Sequence, residues 1–324
     1  MRRRIVFLIL SSFFAIALAS FTGNDQGPQP KAAIRTLIID PGHGGIDPGA
    51  RGSFSTEADV SLAVSLKLGK AIQKEFPELK IVYTRTTDVM AGNKPTKDQG
   101  LRYRADLANE SAGDLFIAVH CNSAGYIKHR EVSGYTYKTV YKGKGSKRKA
   151  VKQKVPKYRS WTTPSPARGT ETYIWAVNKN DAKVNSMNKI EYYGEIDSTG
   201  AAPQIALDLP DPSDPAEYAR MLIYAQQFFR KSLNLAEMIE KEFAATGRVS
   251  RGVKQRNDAG IWVLQATNMP SILVEIGFIS NREEEEYLNS DKGQDEIVED
   301  IVAALKGYKE KLESRSVAGS GAAF

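Results

Sequence analysis

The chain is short of the residues that cross-link proteins or hold metals. It has one cysteine, Cys121, so no intrachain disulfide can form. It has three histidines, His43, His120 and His129, so any metal site must draw on these plus Asp and Glu. Acid is nearly missing from one long stretch: from Lys128 to Arg159 there are twelve Lys or Arg against a single acid, Glu131. The net charge of +7 is therefore local, because that stretch contributes +11 and the rest of the 324 residues is mildly acidic. There is no internal repeat. The one long apolar run is N-terminal, in MRRRIVFLILSSFFAIALAS, where three arginines precede about a dozen apolar residues and a small-x-small site at Ala17-Leu18-Ala19. That pattern predicts a signal peptide over residues 1–19 and a polar lead-in over 20–33. The run is short for a membrane span. The expectation is an exported chain, periplasmic or in the cell envelope after cleavage, not an integral membrane protein, and without a nucleic-acid partner.

What is present is organised around residues 37–57, LIIDPGHGGIDPGARGSFSTE. The apolar run Leu37-Ile38-Ile39 predicts a buried strand. Proline and glycine then end it in a tight loop around His43. In α/β sheets the C-terminal strand edge is where ligands sit. Glu57 opens a helical pattern through residue 76, capped by Ser55 or Thr56. Strands are predicted at 80–85, 115–121, 169–175 and 271–277, and helices at 101–110, 215–245, 282–288 and 295–312. Strand and helix alternate through the first half, which implies right-handed crossovers and a largely parallel sheet, an α/β fold. Residues 126–167 have no apolar period and read as a basic insertion, either a β-hairpin or a loop. Residues 178–214 are polar and irregular, with a short helix expected over 182–193, and residues 314–324 form a small, polar tail expected to be disordered.

His120 ends the apolar strand LFIAVHC, at the same kind of edge as His43, and Asn122 shares its face. Cys121 points the other way and reads as a small core residue. Together His43, Glu57 and His120 supply two nitrogens and one oxygen, a ligand set suited to catalytic zinc with a position open for water. His129, inside the charged insertion, is the weaker candidate ligand. Glu275 lies in the apolar strand SILVEIG, and a lone buried carboxylate costs several kcal/mol unless it is paired, metal-bound or protonated. Such a residue, outside the metal shell, can take a proton from water and pass it to a leaving nitrogen, giving amide hydrolysis. Arg85 and Arg104 are candidates to orient substrate or nearby carboxylates, or to form structural pairs.

These segments (LIIDPGHGGIDPGA, the Glu57 helix start, DLFIAVHCNSA, RGVKQ and SILVEIGFISN) resemble the zinc-dependent N-acetylmuramoyl-L-alanine amidases of the cell-division type, amidase family 3. The resemblance runs from about residue 35 to 312 and is interrupted by the basic insertion. It implies a single α/β domain over 34–313, with a mixed, mostly parallel sheet of about six strands flanked by helices. It implies one Zn2+ per chain on His43, Glu57 and His120, and Glu275 as the catalytic glutamate. The implied reaction cuts the amide between N-acetylmuramic acid and L-alanine in peptidoglycan, in wall remodelling or daughter-cell separation. The alternatives are a zinc peptidase cutting within the stem peptide and a non-catalytic wall-binding protein. NSMNKIEYYGE loosely resembles the helix that covers the zinc in such amidases, with Glu191 the candidate blocking residue, Glu195 the second choice, and a protein activator implied. The basic insertion is a departure from the family pattern and reads either as a solvated loop or as a surface attracted to an anionic polymer or the envelope.

Overall fold

In the computed structural model, residues 34–176, 214–256 and 260–320 are described, and residues 34–311 form one compact unit. The expected signal peptide and the segment carrying Glu191 and Glu195 lie outside the described residues. Strand β1 (Thr36–Pro41) is buried along its whole length. It is followed by α1 (Glu57–Glu75), β2 (Lys80–Tyr83), α2 (Lys97–Glu110) and β3 (Leu115–Asn122). A two-stranded ribbon comes next, β4 (Tyr126–Lys142) and β5 (Lys149–Pro164), and then β6 (Thr170–Ile174). The last part holds α3 (Pro215–Ala245), β7 (Ser250–Gln255), α4 (Trp262–Ala266), β8 (Ser271–Phe278), α5 (Arg282–Leu288) and α6 (Asp291–Ser320).

The main sheet has six strands in the order β2-β1-β3-β8-β6-β7. All neighbours are parallel except β6 and β8, so the sheet is mixed and mostly parallel, as the alternation of elements implied. β1, β3 and β8 are adjacent and parallel, which brings their C-terminal ends to one edge. α1 covers the sheet with a stripe of Val60, Val64, Leu68 and Ile72, one residue per turn. Thr56, one of the two cap candidates, caps it by accepting from Asp59 N–H. On α3, buried Glu240 accepts from the Thr170, Thr172 and Ser250 hydroxyls and ties that helix to β6 and β7.

The structure differs from the sequence reading at several points. α2 begins four residues early at Lys97, because its first turn is polar and only the Thr96 cap announces it. β7 carries one aliphatic residue in SRGVKQ, so no alternation signals it, yet backbone pairing with β6 makes it the edge strand. β2 ends at Tyr83, which frees Arg85 to turn inward. α6 runs on to Ser320, past the expected tail start at 314, since no proline interrupts it. No helix among the described residues is long and apolar enough to cross a membrane.

Candidate metal centre

The His43 loop is held by buried arginines. His43 has φ +59°, a left-handed conformation that costs a non-glycine residue about 1–3 kcal/mol. Arg85 donates to the carbonyls of Pro41 (3.0 Å), Gly42 (2.7 Å) and Ala58 (2.8 Å). Burial, and the neighbouring Arg104 charge, push its pKa down to about 10. Arg104 donates to the carbonyls of Pro41 and His43 and pairs with buried Asp40, which also accepts from the Thr84 hydroxyl. Of the roles open to them in the sequence, both arginines take up backbone carbonyls of this loop, and Arg104 adds a carboxylate partner. The stretch before Glu57 is pinned from α5: buried Glu285 accepts the Ser53, Phe54 and Ser55 N–H groups at 2.7–2.9 Å.

These anchors bring three side chains together. Glu57 Oε1 lies 3.1 Å from His43 Nε2 and 2.8 Å from His120 Nδ1. One donor atom from each of the three residues falls within 4.8 Å of the others, so the group could hold a metal ion. The imidazoles meet edge to face, centroids 4.9 Å apart. Asp47 Oδ2 lies 2.8 Å from His43 Nδ1, which orients the ring and leaves Nε2 facing Glu57. Lys97 in turn holds Asp47. Burial opposes the charge on Glu57, but hydrogen bonds from His120 and His43 outweigh it and hold the carboxyl well below its usual range. Burial likewise opposes charge on His43, and hydrogen bonding and charge from Glu57, then Asp47, raise its pKa above 6.5.

Two glycines leave room for these side chains. A Cβ on Gly42 would sit 2.5 Å from the His120 ring, and one on Gly49, at φ +66°, 2.6 Å from Glu57 Oε2. Gly42→Ala is therefore expected to displace His120 and weaken any metal binding by this group about 10–100-fold, with the helix content unchanged. Zinc titration beside circular dichroism checks this, and unchanged affinity would show that the ring tolerates the methyl.

Glu275 stands opposite His120 in the β3–β8 register and opposite Glu171 in the β6–β8 register. It lines, with His43, Glu57 and His120, a cavity of about 490 Å³. Among the described residues its Oε2 is buried without a hydrogen-bond partner. Burial pushes its pKa up to about 8, the Glu57 charge adding to the rise. Two imidazoles and two carboxylates lining one cavity, one of them with a buried oxygen that has no partner among the described residues, suit a divalent cation, whose positive charge would relieve the Glu57–Glu275 repulsion.

Asn122 lines the same cavity and donates to Glu171 (3.0 Å). Glu171 is buried and was missed by sequence reasoning, although TETYI carries an acid inside a strand just as SILVEIG does. It is compensated by Arg251, Lys254 (2.7 Å) and the Tyr173 hydroxyl (2.8 Å). Asp47 was missed as well, and its signal was its place four residues after His43 in a glycine-rich loop. His129 stands apart from the three, stacked on Trp161 and 2.7 Å from the Thr163 hydroxyl. Cys121 is buried, and its backbone N–H donates to Glu57 (3.1 Å).

The chain is 28% identical over 288 residues to N-acetylmuramoyl-L-alanine amidase AmiC of Escherichia coli, covering 87% of this chain and 56% of AmiC. It is 28% identical over 292 residues to amidase AmiB of Haemophilus influenzae, covering 90% of this chain and 53% of that one. It thus spans about half the length of these curated relatives. Among solved structures, the CwlD amidase of Clostridioides difficile in complex with the GerS lipoprotein shares the fold, with a TM-score of 0.50 and 22% identity over 85% of this chain and 98% of CwlD. Residues 37–307, which include the three clustered side chains and Glu275, match the N-acetylmuramoyl-L-alanine amidase family Amidase_3, and the chain belongs to that family.

Proposed function

We propose that the chain is a zinc-dependent N-acetylmuramoyl-L-alanine amidase of the cell envelope, hydrolysing the amide between N-acetylmuramic acid and L-alanine in peptidoglycan. The observation that carries this reading is the convergence of His43, Glu57 and His120 beside the unpaired Glu275 oxygen. His43, through Nε2, with Glu57 and His120 would hold the ion. A zinc ion there supplies Lewis-acid polarisation of a carbonyl and lowers the pKa of water. Glu275 takes the proton of the attacking water and returns it to the departing L-alanine nitrogen. Asp47 keeps the His43 ring oriented. The CwlD structure includes a lipoprotein partner, and a protein activator is proposed for this chain too, acting on the segment that carries Glu191 and Glu195.

The test pairs metal content with products. About one zinc per chain, with release of intact stem peptides beginning at L-alanine, supports the amidase. Shorter peptides point to cleavage within the stem, and zinc binding with no release by activator-treated protein points to a wall-binding role.

The site also sets a pH dependence. In the metal-free chain the lowered Glu57 pKa contributes stability above its ordinary 4.5 that is lost as pH falls. The raised His43 pKa contributes stability below its ordinary 6.5 that is lost as pH rises through the folded value. Zinc requires His43 deprotonated, so its stabilising effect must grow with pH. The rise in Tm on adding zinc is expected to be clearly larger at about pH 8 than at about pH 5.5. Equal rises at both would remove His43 from the ligand set.

A further inference from the structure

The basic insertion is a ribbon of two long antiparallel strands that, among the described residues, pair only with each other. At about 3.3 Å per residue, β4 extends for more than 50 Å. It is rooted beside the cavity, since β3 ends at Asn122, which lines it, and β4 opens at Tyr126.

The two faces of the ribbon differ in chemistry. Directly paired residues share a face, and alternate residues along a strand share a face. Tyr126 pairs with Pro164, Val132 with Tyr158, Tyr135 with Pro156, Tyr137 with Lys154 and Tyr141 with Ala150. All the β5 positions in these pairs are an even number of residues apart, so all five tyrosines of the ribbon lie on one face. This depends on a single irregularity. The register shifts between Val132 and Gly134, inserting one residue into β4. Without it Tyr135, Tyr137 and Tyr141 would fall on the face opposite Tyr126, because one residue of slip exchanges the two faces.

All five rings are exposed, Tyr137 by 66%. Lys128, Arg130, Lys152 and Lys154 stand between them by the same alternation, with Lys154 lying 3.9 Å from the Tyr135 ring centre and Arg130 3.6 Å from that of Tyr158. The one acid, Glu131, is on the other face, opposite Arg159. A row of exposed tyrosines with interleaved cations and no acid matches a polymer that offers flat CH faces, hydroxyls and carboxylates together. Rings cover the CH faces, phenol hydroxyls meet sugar hydroxyls, and the cations pair with carboxylates. Residues 126–164 contain no Leu, Phe or Met, and the ribbon's Ile127 and Trp161 are on the other face, so the tyrosine face has little to insert into a lipid bilayer.

We infer that the tyrosine face of the β4–β5 ribbon is a docking track for an acidic glycan strand, peptidoglycan carrying its stem-peptide carboxylates, that holds the polymer beside the cavity. The inference rests on the proposed substrate but not on turnover.

The test uses the full chain with Glu275→Gln, which keeps the polymer intact, sedimented with purified peptidoglycan sacculi. The triple change Tyr135→Ser, Tyr137→Ser and Tyr141→Ser is expected to raise the half-saturation point about tenfold or more. In the chain with its tyrosines intact, sacculi are expected to protect Lys152 and Lys154 from acetylation, a readout that needs no ribbon variant to fold. Parental sedimentation by the triple variant, or unprotected lysines, overturns the track. So does equal or tighter binding to phosphatidylglycerol vesicles, which would assign the ribbon to lipid. The two readings fail separately. Sedimentation through the tyrosines without stem-peptide release by the activator-treated, unaltered chain removes the amidase and leaves the track, whereas release without tyrosine-dependent sedimentation does the reverse.

Discussion

Glu275→Gln is expected to lower stem-peptide release by about 10²–10⁴-fold, the usual contribution of a positioned general base. Gln keeps the shape of the side chain and cannot accept the water proton. Zinc content should stay at its parental level, because the ion is assigned to His43, Glu57 and His120. A second effect separates this residue from an ordinary structural acid. The Glu275 Oε2 is buried and, among the described residues, has no hydrogen-bond partner, and the pKa of the group is raised from 4.5 to about 8. A carboxyl shifted upward destabilises the metal-free fold as pH rises from its ordinary value through its folded value. The Gln variant removes that cost, so the metal-free variant is expected to be the more stable one above neutral pH, by about 1–3 kcal/mol. Turnover falling while metal-free stability rises marks a group kept for chemistry at the expense of the fold. Turnover within twofold of the parent would remove Glu275 from the mechanism.

Arg104→Met is expected to be the most damaging change to the fold, costing about 3–5 kcal/mol. Arg104 and Asp40 are both buried, with side chains 4% and 2% exposed, so removing the cation leaves an unpaired charge in the interior. The variant also releases the His43 carbonyl and leaves the Pro41 carbonyl with Arg85 as its remaining donor. His43 is then held in its left-handed conformation by fewer contacts, and zinc affinity should fall with stability. Asp40→Asn added to Arg104→Met should recover part of the stability, since the stranded charge is gone, but not the zinc affinity, since the loop is still loose. Urea unfolding and zinc titration on the single and double variants measure the two separately. A loss below about 1 kcal/mol in the single variant would show that Asp40 finds another partner or solvent.

The same physics explains what could be read in advance. β1, β3 and β8 were visible because buried parallel strands are nearly continuous apolar runs, and any polar residue inside one is conspicuous. His120 and Glu275 stood out for that reason, and His43 because glycines surround it. Glu171 has the same pattern in β6 but is neutralised by Arg251 and Lys254, which arrive from β7, a strand too polar to announce itself. Arg85 and Arg104 were visible as residues but not as roles, since the carbonyls they satisfy belong to a loop some forty to sixty positions earlier. The insertion was recognisable as basic, yet its tyrosine face was not, because the parity of the tyrosines along the sequence is mixed and one extra residue in β4 reverses it.

By itself the sequence determined the strand–helix alternation, the identities of the candidate metal ligands and the candidate base, and the charge of the insertion, because burial and turn chemistry are local properties of residue type. Only the tertiary structure decided that β1, β3 and β8 lie side by side, that Glu57 sits between two imidazoles, that Asp47 orients one of them, and that five tyrosines line up on one face. Each depends on strand order and register, which are set by backbone pairing between segments far apart in the chain.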